Sequence, residues 1–521
     1  MARQVFANTL ASLTGNTGSL VIGLVITPYL IVRLGLATYG FWAVVSSLVL
    51  YVGVMDLGLE TTFVKCVAEY AVTGQRTRVR QVVTFGVYFY VMLSVLLGTL
   101  ATLAAPLVIR WMRLPPDLAA QGPRVLGFVV GAYFLSSAAG VIGSLLSGLG
   151  YLRIVSLATF ISRVAYGTAA VVLCALHFGI DALVAATFVQ TAVLAVCCYA
   201  AARRLFGAIF SNPLRLERRI IKRLFSLGGW IQLSNLSSSI TMETNRLLIA
   251  IFVQVSGVTY YEIANKLARA VRALPLNFIM ALLPAVSALD AAGQSDSLNG
   301  IYVRASRYVN CATVAGIGLL IAAASPIVRL WMGRDYPGVP TIIAVVGIAY
   351  IAINLTVVGT TVLRAIGMPR YESYYMLCWA AVSVGVMAAL APRYGMAGIL
   401  VGILSGAVSS SAFFLWLFHR LRRLPFVSGF AAWFAPLAAA VCCSIAGVWA
   451  VGTRLPPFGA GRGGAFAATV VDALAYSLIF VAALVLLRYF NADDLALFRR
   501  VLPGVLHKAP AAPVPIERVA S

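Results

Sequence analysis

Runs of about 20 or more apolar residues recur along the whole chain, separated by short segments that hold glycine, proline and most of the charge. Each run is long enough to cross about 30 Å of hydrocarbon as a helix that rises about 1.5 Å per residue. The pattern predicts an all-α polytopic membrane protein with about 14 transmembrane helices. The predicted helices lie at 8–32, 41–62, 82–110, 125–148, 155–176, 182–202, 224–253, 258–284, 304–328, 339–363, 372–391, 395–418, 427–452 and 465–488.

The amino-acid composition excludes several classes of protein. Of the 521 residues, 61% are hydrophobic and 11% charged, against about 25% charged residues in soluble domains, so a soluble enzyme and a disordered chain are both excluded. The net charge of +23 fits anionic membrane lipids as partners, and no nucleic acid is expected. The eight cysteines lie in or beside apolar runs, and neither a zinc-ligand spacing nor a Walker A motif occurs. We therefore expect no disulfide framework, no metal, no cofactor and no ATPase site.

The distribution of lysine and arginine orients the chain. With the N-terminus in the cytoplasm and alternating crossings, cytoplasmic segments hold 25 of these cations and outer segments nine. This positive-inside bias predicts cytoplasmic N- and C-termini. The densest basic run, Arg203–Arg223, is expected to anchor the topology on anionic headgroups.

Short motifs recur at an offset of 216–221 residues. Pro106–Met112 resembles Pro326–Met332, and three further pairs follow in the same order. A period of six helices predicts two six-helix lobes in the same orientation, related by an axis along the membrane normal. The predicted domains are a lobe at 1–205, a basic cytoplasmic linker at 206–223, a second lobe at 224–420, helices 13 and 14 at 421–490, and a cytoplasmic tail at 491–521.

Two stretches resemble a known family. Thr38–Trp42 after Arg33-Leu34-Gly35, followed by Asp56–Leu59, resembles the opening of Wzx-type polysaccharide and O-antigen flippases. Tyr260–Arg272, followed by Pro275, Pro284 and Ser287, resembles the corresponding stretch of their second half. These proteins belong to the multidrug/oligosaccharidyl-lipid/polysaccharide (MOP) exporter superfamily, and the resemblance covers roughly residues 1–420.

The resemblance implies a MATE-like fold and a function in polysaccharide biosynthesis. It implies secondary transport of undecaprenyl-diphosphate-linked oligosaccharide units from the inner to the outer leaflet of the bacterial cytoplasmic (inner) membrane. The implied partners are the lipid-linked glycan, a glycan polymerase and a chain-length regulator. Four other functions stay open: a multidrug exporter or a peptidoglycan-precursor lipid flippase of the same superfamily, a lipid scramblase, and a membrane glycan polymerase or ligase.

Ionisable residues concentrate within two apolar runs, where each costs several kcal/mol unless it meets water or a partner. One run carries Glu243 and Arg246, and the next carries four such residues within about 120° of one helix face, namely Glu262, Lys266, Arg269 and Arg272. Two interpretations are open. The charges form ion pairs that hold the two helices together, or they line a hydrated cationic cavity that attracts a lipid diphosphate. The sequence favours the cavity, with Arg246, Lys266, Arg269, Arg272 and Arg163 as substrate-binding candidates.

The depth of these residues predicts their pairing. If the two helices turn near Ser256, Glu243 lies level with Arg269, and Arg246 lies level with Lys266. The second pair consists of like charges, which implies an anion, water or a carboxylate such as Glu262 between them. Glu262 and Glu243 are also the candidates for ion coupling, with Glu262 preferred.

Three other acids are expected to play no part in transport. Asp56 and Glu60 are predicted to lie at the membrane interface, and Asp472 is predicted to take part in packing or lipid contact.

Overall fold

The computed structural model of the chain places a helix in every predicted apolar run. It describes residues 18, 21–53, 59–211, 224, 243–279, 282–368, 370–424, 427–454, 459 and 461–490, and within them it has no β-strand. The helices are α1 Val21–Leu34, α2 Leu36–Val52, α3 Leu59–Val72, α4 Arg76–Ile109, α5 Pro116–Gly148, α6 Leu152–Ala175, α7 Asp181–Phe206, α8 243–252, α9 Val255–Ile279, α10 Leu282–Ala291, α11 Ser295–Ala322, α12 Ala324–Met332, α13 Val339–Ala365, α14 Arg370–Tyr394, α15 Met396–Arg422, α16 Val427–Arg454 and α17 Arg462–Leu486.

The all-α membrane fold is confirmed, whereas the number of crossings stays a prediction. Within the described residues, ten helices are long and apolar enough to cross a membrane, and α1 and α2 are shorter apolar helices. α9 is also long, but it carries four ionisable side chains. Its composition alone therefore does not mark it as a span.

Several helix boundaries differ from the predicted ones. The run 304–328 is divided into α11 and α12 at Ala323, three residues before Pro326. Proline lacks the N–H that a continuing helix needs but is tolerated in a first turn, so a new helix begins there. The run 41–62 is likewise shared between α2 and α3, and 258–284 extends over α9 and into α10. α4 begins at Arg76, six residues before its apolar run, because helical hydrogen bonding continues beyond the hydrocarbon.

The same helix neighbours occur in both halves of the chain. In the first half α3, α4 and α7 pack on α5, and α6 packs on α7. In the second half α9, α11 and α15 pack on α13, and α14 packs on α15. This recurrence is what two parallel six-helix copies require. The exact domain limits stay predictions, and residues 212–223 of the linker and the tail 491–521 lie outside the described residues.

The C-terminal pair α16 and α17 stands outside this repeated pattern. The two helices pack on each other, α16 contacts α11, and α17 contacts α11 and α12. Tyr476 and Phe480 of α17 pack with Val314 of α11 in a separate apolar cluster. Gly318 makes this contact possible, because a Cβ at that position would lie 2.2 Å from the Tyr476 hydroxyl oxygen.

The two halves meet along α2 and α9, at the end of the bundle that holds the turn at Gly35 (the Gly35 end). Thr259 Oγ1 donates a hydrogen bond of 2.6 Å to the Leu36 carbonyl. Gly40 lies against the Val255 carbonyl oxygen, which would be 2.1 Å from a Cβ at position 40. Only glycine allows this approach, so the halves are closed against each other here.

Candidate site at the interface of the two halves

An arginine held between two glutamates forms the centre of the candidate site. Arg246 Nε donates to Glu262 Oε1 at 2.5 Å, and Arg246 Nη1 donates to Glu243 Oε2. Glu243 is 6% exposed and Glu262 is 4% exposed. Burying three charges is tolerable only when they neutralise and hydrogen-bond one another, as they do here.

The helical hairpin of α8 and α9 explains which charges meet. The turn between them lies at residues 253–254, two residues before the predicted turn near Ser256. Arg246 therefore lies level with Glu262 instead of Lys266. Glu243 pairs with Arg246 on its own helix, and the predicted pairing of Glu243 with Arg269 is wrong for the same reason.

Arg246, Glu243 and Glu262 form a charged triad, and Ser47 of α2, in the first half of the chain, hydrogen-bonds to it. The Ser47 hydroxyl donates to Glu243 Oε2 at 2.9 Å and lies 3.1 Å from Arg246 Nη1, which donates to it. Ser47 is fully buried. Beside it, the hydroxyl groups of Tyr51 and Thr244 are 2.5 Å apart. The first half thus contributes a hydroxyl group to a triad whose three charges all belong to the second half, and the sequence did not predict this contact. The available signal was a serine within an apolar helix.

Lys266 contacts the first half instead of Glu262. Its Nζ donates to Thr27 Oγ1 at 2.6 Å and to Tyr39 Oη at 2.7 Å. It also lies 5.4 Å from the centre of the Tyr39 ring. Together with Arg163 and Tyr166 of α6, Lys266 lines a cavity of about 120 Å³ between α1, α2, α6 and α9. The expectation that Arg163 adds a cation from the other half therefore agrees with its place beside Lys266.

Arg269 and Arg272 lie further along α9, beside α13. Arg272 Nε donates to Asn354 Oδ1 at 2.8 Å, and its guanidinium lies 4.9 Å from the centre of the Tyr350 ring. Arg269 also hydrogen-bonds to Tyr350 and is close enough to Arg246 and Glu262 to interact electrostatically. Arg269 is exposed although it faces this interior cluster. It therefore borders an open space.

The cations of the site differ in whether a carboxylate compensates their charge. Arg246 already has two carboxylate partners. Within the described residues, no carboxylate lies within ion-pair distance of the other four candidates, which are Lys266, Arg269, Arg272 and Arg163. Lys266, Arg269 and Arg272 are held by hydroxyl groups, an amide group and aromatic rings. Positive charge that is available to an anionic ligand therefore resides on these four side chains and not on Arg246.

The remaining predicted residues lie elsewhere. Asp56 and the side chain of Glu60 lie outside the described residues, and Asp472 is half-buried in α17. In the described part of the chain, no group of histidine, cysteine, aspartate or glutamate side chains is arranged to hold a metal ion.

The sequence model of a family described as "Polysaccharide biosynthesis protein" matches residues 87–340. A putative O-antigen transporter from Shigella flexneri is 20% identical over 205 residues, which make up 39% of this chain and 48% of that protein. The matched part of this chain thus spans about half the length of this curated relative.

Two solved structures share the fold. The lipid II flippase MurJ, in an inward closed conformation, aligns with a TM-score of 0.70 at 11% identity, over 95% of this chain and 100% of that one. A multidrug resistance MATE family transporter of the MOP superfamily, in an inward-facing conformation, aligns with a TM-score of 0.64 at 15% identity, over 80% of this chain and 98% of that one.

The chain has the fold of the MOP superfamily. The resemblance to Wzx-type flippases, first recognised in short motifs near Thr38 and Tyr260, is confirmed by the family match and by this fold. The proteins it resembles are transporters or flippases of the membrane. In this fold the triad, Lys266 and Arg163 lie at the contact between the halves, whereas Arg269 and Arg272 lie further along α9 and contact α13 of the same half.

Proposed function

We propose that this protein is a secondary transporter that flips undecaprenyl-diphosphate-linked oligosaccharide units from the inner to the outer leaflet for polysaccharide biosynthesis. The observation that carries the proposal is the group of four cations without carboxylate partners on α6 and α9, two of which, Arg163 and Lys266, line a cavity between the halves. A charge at membrane depth costs about 2.5–3.5 kcal/mol or more, so its retention needs a compensating ligand or water. A diphosphate supplies such a ligand.

The side chains suit a diphosphate. A planar guanidinium donates two parallel hydrogen bonds to phosphate oxygens, and an ammonium group adds a compact charge. Arg163, Arg269 and Arg272 offer the first kind of contact, and Lys266 offers the second. Lys266 is currently held by Thr27 and Tyr39. A phosphate that drew Lys266 away from these hydroxyl groups would loosen a contact between the halves.

The closed Gly35 end supports alternating access. By the positive-inside bias, the Gly35 end faces outward, so the structure corresponds to a state closed to the outer side. Rocking the two halves about their interface would break the bonds of Lys266 and Thr259 and open that side. The predicted lobes at 1–205 and 224–420 are the units proposed to move, with both termini in the cytoplasm and the protein in the inner membrane.

Ion coupling is proposed to run through Glu262, with Glu243 as the second candidate. Both carboxylates are bound to Arg246 and buried. Either one can load a proton only when a conformational change separates it from that arginine. All three side chains belong to the second half, so movement of the first half reaches them through its Ser47, which hydrogen-bonds to Glu243 and Arg246. Reconstituted Glu262→Gln protein is expected to transport without responding to an imposed pH gradient. If this variant responds as the wild type does, Glu262 is not the coupling residue.

A peptidoglycan-precursor flippase is the second candidate function. The lipid II flippase covers 95% of this chain, whereas the multidrug transporter covers 80%. The larger share fits a fold that retains the C-terminal pair α16 and α17. A multidrug exporter of organic cations is disfavoured, because both glutamates of the site are already paired with Arg246.

An export assay tests the main proposal. In a strain whose own copy of the gene is deleted, Arg269→Ala is expected to abolish surface polysaccharide and to accumulate the lipid-linked intermediate, at unchanged protein level. Arg124→Ala is the matched control, because Arg124 is an exposed arginine paired with Asp181 away from the interface. Normal export by Arg269→Ala would show that this charge is not needed. Restoration of a peptidoglycan defect, without any polysaccharide phenotype, would favour the second candidate function.

A further inference from the structure

An apolar groove lies between α1 and α6 on the outside of the first half. Its volume is about 410 Å³, and its lining is almost wholly aliphatic, including Val21, Val25, Gly167 and Val172. Val21 and Val25 are 50% and 70% exposed, respectively. The groove therefore opens toward the surrounding hydrocarbon.

The groove adjoins the cavity that holds Lys266 and Arg163. Ile22 and Ile26 of α1 line both spaces. On α6, Arg163 faces the cavity, and Gly167, one turn further along, faces the groove. The side chains of Ile22 and Ile26 thus lie between the aliphatic groove and the cavity that holds Arg163 and Lys266.

The boundary between the groove and the cavity, called the seam below, is the contact of Ile26 of α1 with Gly167 of α6. A Cβ at Gly167 would lie 2.3 Å from Ile26 Cδ1, so Ile26 occupies the space that a side chain at 167 would take. The Gly35 end of the seam is closed by Tyr29, whose hydroxyl donates to the Val171 carbonyl at 3.3 Å. On its other side α1 is held by Trp331 of the second half, which donates to the Leu24 carbonyl at 2.9 Å.

We propose that the α1–α6 groove binds the polyisoprenoid tail of the lipid-linked substrate while its diphosphate is held by Arg163 and Lys266. This inference rests on the proposed function and deepens it. A lipid diphosphate is an amphiphile whose anion and branched hydrocarbon are joined directly, and here a cavity with two cations and an aliphatic groove lie side by side, with Ile22 and Ile26 lining both. The groove extends from the depth of Arg163, near the middle of α6, toward the Gly35 end. The tail would thus leave the protein at α1 and remain in the bilayer.

The geometry also assigns a role to Ile26. The tail and the diphosphate occupy spaces on opposite sides of the Ile26–Gly167 contact, so the link between them must pass this seam. The groove adjoins a cavity with two cations, so it suits a hydrocarbon chain that is joined to an anion. A bulk phospholipid or a second copy of the chain could cover an apolar groove without any cations beside it.

Photo-crosslinking tests the occupant. A benzophenone amino acid is placed at Val25, in the groove, or at Val196, which is 65% exposed on α7 outside the groove. The protein is reconstituted with radiolabelled undecaprenyl-diphosphate-N-acetylglucosamine in phosphatidylethanolamine vesicles. We expect several-fold more label at Val25 than at Val196, and a fall to the Val196 level when Arg163→Gln is added.

Four outcomes of this crosslinking experiment would overturn the proposal. Three of them are equal labelling at the two positions, labelling at Val25 by radioactive phosphatidylglycerol to the same extent, and a crosslinked dimer as the main product. The first and second would make the groove an ordinary lipid contact, and the third would make it a contact between copies. Labelling at Val25 that Arg163→Gln does not reduce would separate the groove from the cation and also overturn it.

A transport measurement separates this inference from the proposed function. Thr168→Trp fills the groove, because Thr168 is an exposed lining residue, and Val196→Trp is its control. We expect Thr168→Trp to slow flipping roughly tenfold, as the loss of about 1.4 kcal/mol of tail binding would do, while Val196→Trp leaves it unchanged. If wild-type protein flips the lipid and Thr168→Trp flips it equally well, the groove proposal alone fails. If wild-type protein does not flip it, the proposed function fails.

Discussion

Removing either partner of the Arg246–Glu262 pair should destabilise the protein to unequal extents. Glu262→Ala removes one of the two carboxylates bound to Arg246, so the guanidinium keeps Glu243 and Ser47. Arg246→Ala removes the cation that pairs with two buried carboxylates, and among the described residues no other cation lies within ion-pair distance of either. The two losses are unequal because the triad holds one arginine and two glutamates.

The magnitudes can be worked from the contacts. Glu262→Ala breaks one charge-assisted hydrogen bond, worth about 1.5–3 kcal/mol, and leaves no orphaned charge, so we expect a loss of about 2 kcal/mol. Arg246→Ala leaves buried charges without a partner, for which the loss is about 3–5 kcal/mol. Because both changes remove the same contact, the double variant should be less destabilised than their sum, by about 1–3 kcal/mol.

The assay is equilibrium unfolding in mixed micelles, followed by tryptophan fluorescence, for the wild type, both single variants and the double variant. The exposed pair Arg124–Asp181 supplies the matched controls, because each side chain is about half exposed and such a pair contributes at most about 1 kcal/mol. If Arg246→Ala is no more destabilising than Glu262→Ala, or the two changes are additive, the triad does not exist as described.

Three further predictions concern other contacts. Gly40→Leu should push α2 away from the carbonyl it contacts on α9, so cysteine crosslinks across the Gly35 end should form more slowly than in wild type. Gly318→Leu should displace Tyr476 and lower the melting temperature, and Gly459→Leu, which meets nothing, is the control. Arg329 donates two hydrogen bonds to Asp335 in the loop after α12 and lowers the pKa of that carboxyl. This small stabilisation is complete above the ordinary aspartate pKa of about 3.9 and is lost as the pH falls through the lowered pKa of the folded state, so the amount by which Asp335→Asn melts earlier than wild type should be larger at pH 7 than at pH 3.

The sequence predicted the fold class because apolar runs of this length have few other structures. It also placed Glu262, Lys266, Arg269 and Arg272 on one helix face, since helical periodicity alone decides this. The pairing of the charges could not be read in the same way. A two-residue difference in the position of the α8–α9 turn moved the partner of Arg246 from the level of Lys266 to Glu262.

The contributions of the first half to the site were missed for a different reason. Ser47, Thr27 and Tyr39 are ordinary residues of apolar helices, and their roles arise only where α1 and α2 approach α9. Contacts between residues about 200 positions apart depend on how the two halves dock. No local pattern in one sequence carries that information, whereas the number of charges that need partners does indicate that such contacts must exist.

The central claim is that this protein moves a lipid-linked glycan across a bilayer by means of the four cations that have no carboxylate partner, namely Lys266, Arg269, Arg272 and Arg163. The most direct measurement reconstitutes it in vesicles that contain undecaprenyl-diphosphate-linked oligosaccharide with a fluorescent label on the glycan, and then adds an impermeant quencher. We predict that wild-type protein exposes the inner-leaflet pool to the quencher, whereas protein-free vesicles and the Lys266→Gln/Arg269→Gln variant keep it protected. Protection of that pool in the presence of folded wild-type protein, or equal exposure of labelled phosphatidylglycerol, would contradict the claim.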